Sequence, residues 1–106
     1  MSGFDKREEG FEKKFAHDEE LRFRAHARRN KMVGLWAAQK LGLAGAAAET
    51  YANGLVESFV NASTADLAGK LRKDFDANGV VQSDHQISRM LDELMATAMA
   101  EIKAGR

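Results

Sequence analysis

The run Asp74-Phe75-Asp76-Ala77-Asn78-Gly79-Val80-Val81-Gln82-Ser83-Asp84-His85 sets oxygen-bearing side chains where a calcium loop uses them. Asp74, Asp76 and Asn78 fall at positions 1, 3 and 5. Gly79 is at 6, Val81 at 8 and Gln82 at 9, which matches the first half of an EF-hand loop. Position 12 breaks the pattern, because His85 stands where a bidentate Glu is needed. An imidazole is a poor ligand for a hard cation, and two of about seven oxygens are lost. The same residues also serve as a helix end, an Asn-Gly stop and a Ser cap, and that is the expected role.

Other reactive groups are scattered. His17, His26 and His85 have no i, i+4 pairing that would seat a metal on one helix, so no metal ligands are assigned. Asp18-Glu19-Glu20 and Asp92-Glu93 read as solvated helix faces, without a partnered base. Ser58, Ser63, Ser83 and Ser88 sit in no nucleophile motif. Gly42-Leu43-Ala44-Gly45 lacks the Lys and Ser/Thr that complete a phosphate loop. The chain has no Cys, and so no thiol nucleophile and no disulfide framework. No catalytic residue is assigned, and the expectation is a protein that is not an enzyme.

Two features invite binding. Arg22, Arg24, Arg28, Arg29 and Lys31 form a basic block without an intervening acid, a candidate anion or nucleotide site. No cofactor is required, but weak ATP or ADP binding is one expectation for that block. A solvated face paired with neighbouring acids is the other. The second feature is the N-terminal stretch. Phe4, Phe11 and Phe15 fall within about 40° of one another at 100° per residue. The bulky apolar residues further along, Leu21, Ala25, Met32, Leu35, Trp36 and Leu43, cluster about 40–140° to one side of them. The phenylalanines are therefore expected off the buried stripe. They either fold back through a hinge near residues 16–18 or order in another protein's groove.

These groups need elements to hold them. Residues 1–17 carry three bulky apolar side chains and two glycines, too little for a core, and read as a disordered or marginally helical arm. From Asp18 the apolar spacing becomes helical, through Leu21, Ala25, Met32, Trp36 and Leu43, with Gly42 and Gly45 as the stop. A second helix is expected at 46–60, with Tyr51 or Ala52, Leu55, Val56 and Phe59 on one stripe. Ser63 or Thr64 caps a third, which carries Leu67, Leu71 and Phe75 and stops at Asn78-Gly79. Ser83 and Gln86 form a capping box for a fourth, with Ile87, Leu91, Leu94, Ala98 and Ile102 buried. Short connections favour antiparallel neighbours. The expected fold is all-α, a four-helix bundle over residues 18–106 preceded by a flexible N-terminal arm.

Composition agrees. The chain has 106 residues, which allows one small domain. It lacks Pro, which a helical bundle can dispense with and a loop-rich fold cannot. The 16 Lys+Arg balance 16 Asp+Glu, which argues against nucleic-acid binding. No apolar run reaches the roughly 20 residues of a membrane span, and the first residues lack the apolar core of a signal peptide. A cytoplasmic protein is expected, without direct membrane insertion.

Several runs are more specific than their composition. Phe4-Asp5-Lys6-Arg7-Glu8, the stretch Phe11-Glu12-Lys13-Lys14-Phe15-Ala16-His17-Asp18, and Ala27-Arg28-Arg29-Asn30-Lys31 resemble the zeta-type inhibitor subunit of alphaproteobacterial F-type ATP synthases. So do Gly34-Leu35-Trp36-Ala37-Ala38 and Ser83-Asp84-His85-Gln86-Ile87. The resemblance implies a four-helix bundle whose N-terminal segment enters an α/β interface of the catalytic head, blocks rotation of γ and inhibits ATP hydrolysis. It assigns the inhibitory role to residues 2–19, with Phe4, Arg7, Phe11, Lys14 and Phe15 as contacts. It also implies a peripheral place at the inner membrane, through the ATP synthase.

Overall fold

The computed structural model describes the side chains of residues 18–106, and places helices at α1 (Ser2–Lys40), α2 (Gly45–Phe59), α3 (Thr64–Ala77) and α4 (Asp84–Lys103). The four expected helices are all present, and the chain is all-α. The side chains of the expected arm, residues 1–17, lie outside the described ones.

Glycines in the left-handed region close three of the helices. Gly42 (φ +81°), Gly79 (φ +68°) and Gly105 (φ +80°) each turn the chain so that the following amide returns to a carbonyl five residues back. These bonds run Leu43 to Ala38 at 2.8 Å, Val80 to Phe75 at 2.8 Å and Arg106 to Glu101 at 2.9 Å. Each is the outer bond of a Schellman cap, which satisfies carbonyls that the helix leaves orphaned. Gly45 differs from expectation. It opens α2, with φ +56°, instead of helping to end α1. Ser63 caps α3 by accepting from the Asp66 amide. Ser83 and Gln86 form both halves of the expected capping box at α4.

Pairings across the bundle give an up-down-up-down order. Arg29 of α1 reaches Thr64 at the start of α3, and Trp36 meets Phe75 near its end, so these two helices run together. Arg28 pairs with Glu101 near the end of α4, so α4 runs the opposite way. Val33, Ala37, Leu55, Leu67, Leu71, Phe75, Ile87 and Leu91 make the core. Trp36 stands edge-on to Phe75, with ring centroids 5.6 Å apart.

The buried face of α1 is broader and differently centred than expected. It runs through Ala25, Arg29, Asn30, Val33, Gly34, Ala37 and Ala38, about 220° of arc at 100° per residue. Leu21, Met32 and Trp36, expected at its centre, are half-buried along one edge. The reason is that α1 packs against α2 on one side and α4 on the other. On the α2 side the backbones meet so closely that a Cβ on Gly34 would lie 2.5 Å from the Ala52 Cα. A face pressed that close takes small residues, and bulk ceases to mark burial.

Candidate functional site

The four helices come together at one end of the bundle, along residues 19–31 of α1. There α2 closes, α3 opens and α4 closes. Glu19, Arg22, Phe23 and His26 border a recess of about 320 Å³ whose far wall is Val60, Asn61 and Ala62, the turn from α2 to α3. Arg28 reaches the end of α4, pairing with Glu101 at 3.5 Å and donating to the Arg106 carbonyl at 2.6 Å.

The basic block does not form one cluster. Arg28 turns to α4. Lys31 turns to α2, where it pairs with Glu49 and donates to the Asn53 side-chain oxygen at 2.7 Å. Arg29 is 3% exposed. It donates through Nε to Asn30 Oδ1 at 3.2 Å, and through a terminal nitrogen to Thr64 Oγ1 at 3.3 Å. Burial lowers the Arg29 pKa, against the attraction of Asp92. Arg22 and Arg24 stay exposed. A helix turns about 100° per residue, so adjacent cations leave in different directions. Arg29 and Asn30 are polar members of the core that the spacing of apolar residues could not reveal. Their register could, because they lie four and five positions after Ala25 on the same side.

His26 is the titratable group at this junction. Burial first, then the positive charges of Arg29 and Arg22, hold its imidazole below the ordinary value of 6.5. The unfolded chain thus takes up this proton before the folded chain does. Stability from neutral His26 is complete above pH 6.5 and is lost as pH falls from there through the lower folded value. The melting temperature should decline over that window, and His26→Gln should remove that component of the decline. An unchanged slope in the variant would assign it to other groups.

The calcium-like run has other work. Asp74 accepts from the Tyr51 hydroxyl at 2.7 Å and pairs with Lys70 at 3.0 Å. Burial and that hydrogen bond raise the Tyr51 phenol above its usual range. Arg72 holds Asp76 at 3.0 Å and Asp84 at 2.8 Å, and donates to the Gln82 carbonyl. Asn78 donates back to the Asp74 carbonyl at 2.8 Å. The carboxylates therefore point to separate partners: Asp74 ties α3 to α2 through Tyr51, while Arg72 staples the α3–α4 connection through Asp76, Asp84 and Gln82.

The expected contacts Phe4, Arg7, Phe11, Lys14 and Phe15 lie outside the described residues. An ideal helix continued backward from Ala25 at 100° per residue would carry positions 4, 11 and 15 at about 40–80°, the directions of Arg29 and Val33. The expected offset was reckoned from Leu21, Met32 and Trp36, which lie along one edge of the buried face, and the side chains at 4, 11 and 15 are outside the described residues. On the other hand, α2 and α4 close, and α3 begins, level with residues 19–29 of α1.

The sequence matches the family described as ATPase inhibitor subunit zeta over residues 1–101. The chain belongs to this family. A structure described as a solution NMR structure is similar at 33% identity and a TM-score of 0.67. The match covers 81% of this chain and 99% of that one. A comparison with curated proteins gives no match. Membership in the zeta family makes the chain an ATPase inhibitor subunit, an accessory of the ATP synthase with no catalytic residues of its own assigned. Among the described residues no helix is long and apolar enough to cross a membrane.

Proposed function

We propose that the chain suppresses ATP hydrolysis by inserting residues 2–19 into an α/β interface of the F-type catalytic head, where they obstruct rotation of γ. The observation that carries this is the extent of the family match, which includes the arm as well as the bundle. The geometry supports it. The phenylalanines share the phase of the α1 core face, while the helices that cover that face end near residues 19–29. Ordering the arm costs about 1–2 kcal/mol per residue of backbone. Burying three Phe returns about 1.5–3 kcal/mol each. The remainder must come from hydrogen bonds and charge pairs in a partner's groove, with Arg7 and Lys14 among them. The protein would then sit at the membrane only through the synthase. The test is to add the full chain, and the chain without residues 1–19, to a purified cognate head. The first should inhibit ATP hydrolysis and the second should not. Equal inhibition by both would place the inhibitory element in the bundle.

A second reading concerns nucleotide. At the other end of the bundle, Lys40 and Arg89 flank Trp36 in a recess of about 370 Å³. An indole face and two cations suit a base and a phosphate. Glu93 partly neutralises Arg89, at 3.1 Å, which makes the site a weak one. Titration with millimolar ATP should shift the Trp36 and Arg89 resonances, more weakly at high salt. Shifts confined to Arg28, Arg29 and Lys31 would return the site to the basic block.

A further inference from the structure

Phe23 is an anomaly of the fold. It is 53% exposed, although the turns of α1 that follow it, from Ala25 on, are covered. Counted from Ala25 it projects at about 160°, between Asn30 at 140° and Gly34 at 180°. Those two residues meet α2, Asn30 through the Leu55 carbonyl and Gly34 against Ala52. Phe23 therefore points along the side of α1 that α2 covers, but one level beyond the place where α2 stops. Among the described residues, the turn at Val60, Asn61 and Ala62 faces it across the recess. Arg22 projects at about 60°, among the directions of the arm's phenylalanines, and is also exposed.

We propose that Phe23, with Arg22 beside it and Val60 across the recess, is a second contact surface for the ATPase head, continuous with the arm and fixed on the rigid bundle. This rests on the reading of the arm given above. The occupant is argued from continuity: Phe23 lies on the same helix as the arm, within six residues of its root. Whatever protein surface receives residues 2–19 must pass within a side chain's length of Phe23. An apolar ring next to a guanidinium fits a head surface that offers an apolar recess with an acidic rim. The bundle would then do more than tether the arm. It would orient it, because two contacts on one helix fix the angle of entry.

The chain has no Cys, so one engineered cysteine labels uniquely. An environment-sensitive fluorophore on Phe23→Cys should lose solvent exposure when the full chain binds the head. The same label on Val81→Cys, 93% exposed in the α3–α4 connection at the far end, should not respond. Phe23→Ala should raise the concentration for half-inhibition by about tenfold or more, as loss of an anchoring aromatic does. Its melting temperature should stay near that of the parent. A parent that does not inhibit the head sinks the reading of the arm. A parent that inhibits, with the label at 23 silent and Phe23→Ala equally potent, sinks this proposal alone. So does a label at 23 already shielded in the free chain, either by the arm folded back or by a second copy in a concentration-dependent dimer.

Discussion

Gly34→Ala is expected to destabilise the bundle, and Gly54→Ala to stabilise it. Both glycines are inside helices, where Ala is favoured by about 1 kcal/mol. Their surroundings are opposite. A Cβ on Gly34 would lie 2.5 Å from the Ala52 Cα and 2.8 Å from its Cβ, so α1 and α2 would have to separate. Overpacking of that kind costs about 1–3 kcal/mol. Here the obstacle is backbone, which yields less readily than a side chain, so the upper part of that range applies. A Cβ on Gly54 meets nothing within 4 Å. For a domain of this size 1 kcal/mol moves the melting temperature by about 4–8 °C. The two variants should depart from the parent in opposite directions, and Gly34→Leu should not fold at all. A Gly34→Ala variant that melts at or above the parent would mean that the close crossing of α1 and α2 does not exist in solution.

The same crossing shows what the sequence could and could not convey. Helix ends were legible because their chemistry is local. Ser63, the Ser83–Gln86 box, Gly42 and Asn78-Gly79 act through bonds spanning a few residues, and any reader of the chain meets both partners together. The third and fourth helices were legible for a related reason. Each buries a single narrow stripe, and that stripe is made of large residues. Helix α1 has two neighbours, so it buries two sides. Its tightest side is small (Gly34, Ala37, Ala38), and its centre holds a cation and an amide, Arg29 and Asn30. Those choices answer to α2, α3 and α4, which periodicity along α1 does not contain. The basic block failed as a cluster by the same geometry: neighbours in sequence diverge by 100° each. Phe23 is the converse, an apolar residue in a buried phase that the end of α2 leaves uncovered.

Replacing Phe4, Phe11 and Phe15 together with Ala should abolish inhibition of ATP hydrolysis while the bundle melts almost as before. At 100° per residue the phenylalanine positions share the phase of Arg29 and Val33, a face that a longer bundle would cover. What would keep them from the core is length. The recess closed by Val60 and Ala62 reaches α1 at Glu19, and the Arg106 carbonyl, just past the end of α4, meets Arg28. Three Phe contacts of about 1.5–3 kcal/mol each are then available to a partner and not to the fold. Such contacts rarely add in full, yet loss of even half would weaken inhibition by about fortyfold or more. Trp36→Ala is the opposite control. Trp36 packs edge-on against the fully buried Phe75, so its loss should lower the melting temperature first. Inhibition should then fail only at temperatures where the bundle fails. Parent-like inhibition by the triple variant would assign the arm's binding to Arg7, Lys14 and its backbone. A melting temperature far below the parent's would show instead that the phenylalanines fold back onto the bundle and are part of its core.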